Sequence, residues 1–170
     1  MKQLTLLLVL IAPFILLLSS CKEAPTGETR VEINMDSVRA EINELESRFA
    51  AASNAKDVDG VAAYYTSDAQ SMAPGEPTWV GIDAIKAGIK KDMDSDTTGS
   101  TVAFTTTGVW AGGDYATETG TIKVTGKDGS TVYTGKYMTL FELRDGKYVA
   151  IRDIWNSDAP ERPAATPVAQ

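Results

Sequence analysis

Apolar residues at Val38, Ile42, Leu45, Phe49 and Ala52 recur at steps of four, three, four and three, the spacing that gathers side chains on one face of a helix. Asn34 or Asp36 is placed to cap its start, and the pattern runs out near Asn54. Asp57 offers an N-cap for a short second helix through Val61, Ala62 and Tyr65, and Ile82, Ile85, Ile89 and Met93 follow Gly81 at helical spacing. The pattern changes after Gly99. Thr, Val, Tyr and Phe take over, the side chains that suit a pleated surface. Turn signals at Gly112-Gly113, Lys127-Asp128-Gly129 and Arg144-Asp145-Gly146 cut this half into four segments, with hairpins expected at the two Asp-Gly pairs. Three helices followed by an antiparallel meander read as an α+β domain, with helices packed on one face of a curved sheet.

The ends of the chain have a different character. Lys2 precedes an apolar run from Leu4 to Leu18, broken only by Thr5 and Pro13, and then come Ser19, Ser20 and Cys21. A positive start, a short apolar stretch and a small-residue zone form a secretory leader. Leu18-Ser19-Ser20-Cys21 resembles the bacterial lipobox, which implies cleavage before Cys21, acylation of that residue and a membrane anchor. Lys22 follows where an inner-membrane retention signal would carry Asp, so the resemblance implies the outer membrane. Residues 21–31 read as a polar tether, and residues 157–170, with Pro160, Pro163 and Pro167 among Ala and Thr, read as a tail that forms no core. The folded domain is expected over residues 32–156.

Composition narrows the chemistry. The 170 residues include no histidine, one cysteine, 16 basic and 23 acidic residues, for a formal charge of −7. Absence of histidine removes the usual neutral-pH base and every Ser-His-Asp or Cys-His nucleophile. A negative chain with scattered basic residues is a poor match for nucleic acid. No phosphate-binding glycine loop appears, and Asp92, Asp94 and Asp96 lack the Glu that closes a calcium loop. No metal or cofactor is expected.

Several stretches in order resemble one superfamily. They are Arg48 to Ala52 leading into Asn54-Ala55-Lys56-Asp57-Val58-Asp59-Gly60, then Tyr64-Tyr65-Thr66-Ser67-Asp68-Ala69, Ala73-Pro74-Gly75, Gly81-Ile82-Asp83-Ala84-Ile85, and Gly146-Lys147-Tyr148 to Asp153-Ile154-Trp155-Asn156. Together they resemble the nuclear transport factor two-like, or ketosteroid isomerase-like, superfamily with its SnoaL-like domains. The resemblance implies a cystatin-like cone, three N-terminal helices on a strongly curved antiparallel sheet of four to six strands, with a pocket at its open end. It also locates the isomerase residues at Phe49, Ala73 and Thr139. None of the three offers the tyrosine and two aspartates which that chemistry uses, so steroid isomerisation by the family mechanism is not expected.

Other side chains carry the candidate chemistry. Glu118 shares a strand face with Ala116, Gly120, Ile122 and Val124, and a carboxylate on an apolar wall holds its proton more tightly. Asp153 is its expected partner, sharing a face with Ile151 and Trp155, while Tyr148, Ala150, Arg152 and Ile154 take the other. Tyr65, Trp79, Tyr137, Thr139 and Trp155 are the expected ligand-binding wall. A one-residue slip would instead set Glu118 beside Lys136 or Arg152 on the surface. Three functions stay open. The cone binds a small, partly apolar molecule, or it is an enzyme using Glu118 and Asp153 for proton transfer, or it is a scaffold that forms a homodimer through Met138 and Leu140 on the outer sheet face.

Overall fold

The computed structural model describes residues 32–159. The expected leader, Cys21, the expected tether up to residue 31 and, of the tail expected over residues 157–170, residues 160–170 lie outside the described residues. Helix α1 spans Met35–Asn54, and Asn34 is its cap, accepting from the backbone amides of Asp36 and Ser37 at 3.1 Å each. Such a cap contributes about 1 kcal/mol. Helix α2 is Val58–Ala62, capped by Asp57, whose Oδ1 accepts from the Gly60 amide at 2.9 Å.

Tyr65 belongs to no helix. It opens strand β1, Tyr65–Met72, and β2, Trp79–Val80, follows before helix α3, Ile82–Ser95. The helices are therefore interrupted by two strands that periodicity alone does not announce. Residues 65–72 carry few β-branched side chains, and β1 exists because it pairs with a strand some eighty residues later in the chain. Long-range pairing overrides the weak local preference. Strands β3, Thr101–Gly112, β4, Tyr115–Thr125, β5, Thr131–Arg144, and β6, Lys147–Ser157, form the expected meander. At the β5–β6 hairpin Asp145 and Gly146 both take positive φ, 52° and 77°, as a type I′ turn demands.

The six strands form one sheet in the order β2-β1-β6-β5-β4-β3. All neighbours are antiparallel except β1 and β6, which run parallel, a departure from the purely antiparallel sheet expected. Register shifts interrupt four of the five pairings, and two of them bear on the site. Thr107 is an extra residue on β3 opposite the Gly120–Thr119 step, and Ile151 is an extra residue on β6 opposite the Leu140–Phe141 step. A bulge adds local twist and changes which face the following residues occupy. The strict alternation expected along β6 is thereby corrected. Tyr148 and Ala150 are buried before the bulge, Asp153 is buried after it, and Ile154 points outward at 46% exposure.

The concave face closes over α1. Ile42, Ala69, Ile85, Phe141 and Ala150 are fully excluded from solvent and form one cluster with Val38, Val61, Tyr64 and Tyr148. No helix among the described residues is long and apolar enough to cross a membrane.

Candidate functional site

A row of residues crosses the concave face strand by strand. Val109 on β3 pairs with Glu118 on β4, Glu118 with Thr139 on β5, Thr139 with Asp153 on β6, and Asp153 with Ser71 on β1. Four of these five are polar, and all four are buried, Glu118 completely. The next row sets Gly120, Tyr137 and Trp155 side by side. The Tyr137 ring lies across Gly120, filling the space a side chain there would occupy. The ring is held in place by the phenol's hydrogen bond to Glu118.

The acids are tied down by hydroxyl groups. Tyr137 donates to Glu118 Oε1 at 2.8 Å and Thr106 donates to the same atom at 2.6 Å. Tyr65 donates to Asp153 Oδ2 at 2.7 Å, and Thr139 donates to Asp153 Oδ1 at 3.2 Å. Sequence reasoning missed the third acid. Glu46 on α1 is buried at 8% exposure and accepts from the Tyr64 hydroxyl. Its signal was present in the chain, because position 46 is four residues after Ile42 and three before Phe49, on the stripe that faces the core.

Burial, then the charge of Glu118, pushes Glu46 up to about 8. Burial also raises Glu118 and Asp153. The charge of Glu118 acts on Glu46, which of the two is the one that holds its proton to about 8. The Oε2 atom of each is buried and receives no donor from the protein. The Tyr64 and Tyr65 phenols, desolvated and facing these acids, are pushed well above their ordinary range and stay neutral donors.

A cavity of about 340 Å³ opens above this network. Glu46 and Asp153 line it, together with Tyr65, Trp79, Tyr137, Thr139 and Trp155. The structure thus brings the expected aromatic wall and Asp153 together around one space. Glu118 is on the expected strand face and has no surface partner, but it does not line the cavity. The acid that reaches the cavity beside Asp153 is Glu46, with Glu118 behind it. Of the positions that the resemblance assigns to isomerase chemistry, Phe49 and Thr139 line the cavity, whereas Ala73 follows the end of β1 and is not part of the wall.

Trp79 sits in the two-residue strand β2 and meets Trp155 edge-on, the ring centroids 5.9 Å apart. Its indole covers Gly88 on α3 so closely that a Cβ there would overlap three ring atoms. Gly88→Ala is expected to push the indole toward Trp155 and destabilise the fold by about 1–3 kcal/mol, outweighing the ~1 kcal/mol of added helix propensity. A lowered urea midpoint with a shifted tryptophan emission is the expected result; an unchanged spectrum would show that the indole does not rest on Gly88.

The rim is polar. Lys56, at a positive φ of 56°, donates to the Met93 and Asp96 carbonyls at 3.1 and 2.7 Å and pairs with Asp96 Oδ2 at 3.5 Å, joining α1 to the end of α3. Lys86, Lys90 and Lys91 are paired on the surface with Asp59, Asp94 and Glu76. Among the described residues no three His, Cys, Asp or Glu side chains converge as metal ligands.

Comparison with known proteins agrees with this architecture. Residues 47–151 match the family model described as a SnoaL-like domain. A ketosteroid isomerase-like protein from Erwinia carotovora atroseptica is 22% identical, with 71% of this chain and 96% of that chain covered at a TM-score of 0.60. A protein of unknown function with a cystatin-like fold from Nostoc punctiforme is 18% identical over 81% of this chain and 98% of that one, with a TM-score of 0.66. A nuclear transport factor two-like protein from Novosphingobium aromaticivorans, also with a cystatin-like fold, is 21% identical over 71% and 82% of the two chains, at 0.64. No curated protein matches the chain. Identities this low establish the fold alone.

Proposed function

The chain belongs to the SnoaL-like domain family, and on that premise we propose that its cone binds a small, partly apolar molecule. The observation that carries this reading is the cavity of about 340 Å³, walled by aromatic rings and floored by hydrogen-bonded carboxyl groups. Apolar walls with a few convergent polar groups are the usual make-up of a small-molecule site. Binding is readable from within, because two of the three tryptophans, Trp79 and Trp155, line the cavity while Trp110 is 60% exposed on the outer surface.

Native mass spectrometry of the protein extracted in mild detergent is the test. A retained small molecule, released by Trp79→Ala with at least a tenfold loss of affinity, is the expected result. Failure of any apolar probe to change the Trp79 and Trp155 emission would overturn it. The same spectrum tests two further parts of the proposal. Acyl mass on Cys21 would support a lipid anchor in a bacterial envelope, outer membrane rather than inner, which rests on Leu18-Ser19-Ser20-Cys21 and on Lys22. A subunit count of two would support a homodimer through the outer sheet face, where Met138 and Ile154 pair across β5 and β6 at 49% and 46% exposure and Leu140 is partly covered. A plain thiol or a monomer would remove the corresponding part.

A second reading is favoured by the convergence of acids. Glu46 holds a proton at the cavity wall and Asp153 sits across from it, a pairing suited to moving a proton to and from a bound substrate. Here the acid–base pair would be Glu46 and Asp153, with Glu118 tuning Glu46 from behind. Turnover of the copurified molecule by the wild type, lost at least a hundredfold in Glu46→Gln, would establish it; unaltered ligand after prolonged incubation would leave binding alone.

A further inference from the structure

Acidic side chains predominate around the cavity. Glu46 and Asp153 line it, Asp92 and Asp96 stand at its rim, and Glu118 lies directly behind. Among the described residues the one cationic side chain that lines it is Lys56, whose ammonium group is held by Asp96 and by the carbonyls of Met93 and Asp96. An anionic ligand would meet repulsion and find no free cation among the described residues.

Four hydroxyl groups of the wall are also occupied. The hydroxyl groups of Tyr64, Tyr65, Tyr137 and Thr139 point to Glu46, Asp153, Glu118 and Asp153 respectively. What these residues leave for a ligand is ring surface, and Phe49, Tyr65, Trp79, Phe104, Tyr137 and Trp155 supply it. Ring faces attract cations, most strongly at desolvated sites. Glu46 adds an independent observation, since it lines the cavity, is 8% exposed, and keeps Oε2 without a donor from the protein.

We propose that the cone selects a small organic cation with an apolar body, an alkyl or aryl ammonium, whose positive charge takes the place of a proton at the buried Glu46 carboxyl group. The proposal rests on the small-molecule reading above and names its ligand class. In the exchange the O–H bond of Glu46 breaks, its proton leaves to solvent, and the resulting carboxylate faces the ammonium. The charged and titratable groups around Glu46 are Tyr64 just before β1, Tyr65 at its start, Glu118 from β4, Tyr137 from β5 and Asp153 from β6, with Lys56, Asp92 and Asp96 at the rim. None of the neighbours at the floor is basic.

The test uses benzyltrimethylammonium, charged at every pH, against its neutral isostere neopentylbenzene and the anionic apolar dye anilinonaphthalene sulfonate. Isothermal titration of the purified protein from pH 6 to pH 9, in buffers of different ionisation enthalpy, measures affinity and proton release together. Expected is a Kd for the cation that falls about tenfold per pH unit below pH 7.5, with one proton released, and levels above about 8. At pH 9 the isostere should bind at least tenfold more weakly. Glu46→Gln should abolish the pH slope; if that variant fails to fold, the wild-type profile decides alone. Equal binding of cation and isostere, or binding of the isostere or dye without the cation, overturns the charge assignment and leaves the cavity reading standing. If no probe binds, both fall.

Discussion

Unfolding free energy falls as pH rises from about 5 to about 8. Glu46 in the folded protein keeps its proton up to about 8, against an ordinary glutamate value of 4.5 that the unfolded chain adopts. Throughout that window the folded state binds the extra proton, so the stability present at pH 4.5 is progressively lost, by about 1.4 kcal/mol per pH unit for one proton. The total reaches a few kcal/mol, a large share of the ~5–15 kcal/mol typical of a domain. Raised values for Glu118 and Asp153, both from burial, work in the same direction. The chain has no histidine to contribute an opposing side-chain titration here. Glu46→Gln keeps a donor toward Glu118 and an acceptor for Tyr64 without a titrating proton. At pH 8 that variant is expected to be more stable than the wild type, with most of the slope gone. Urea titrations at pH 5, 6.5 and 8 decide the matter, and a flat wild-type profile would mean that Glu46 is not desolvated in solution.

Replacing Phe141 by alanine costs about 3–5 kcal/mol. The ring is entirely buried and packs edge-on to Tyr64, centroids 5.5 Å apart. Its cross-strand neighbours are Ala116 and Ala150, too small to fill the space it leaves, so the cavity term adds to the lost transfer free energy. Tyr64 would also lose the wall that holds its hydroxyl against Glu46. A drop in Tm of roughly 10–20 °C is the expected reading, with the urea slope little changed. Leu143→Ala on the same strand, 37% exposed, is the control and should stay within about 1 kcal/mol. Comparable losses in the two variants would refute this picture of the core.

The cavity floor shows where sequence reading reaches its limit. Asn34 and Asp57 announced their helices because capping is local chemistry, and the Asp-Gly pair at 145–146 announced its hairpin because few residues take positive φ cheaply. Alternation along β4 set Glu118 among small and apolar neighbours, as found. Along β6 the same rule failed at Ile151, since a bulge is dictated by the pairing of two strands and leaves no period in one. Glu46 was legible as a carboxylate on an apolar stripe, but its meaning depended on Glu118, 72 positions further along the chain.

By itself, then, the sequence determined the α+β class, the long helix, the meander, the aromatic residues of the wall and the absence of histidine chemistry. Those features follow from local propensity, periodicity and composition, which act over a few residues at a time. Only the tertiary structure decided that β1 runs parallel to β6, that Glu118 stands behind the cavity, and that Glu46 is desolvated there. Those outcomes depend on desolvation and on register between distant strands, and both arise only once the cone has closed around α1.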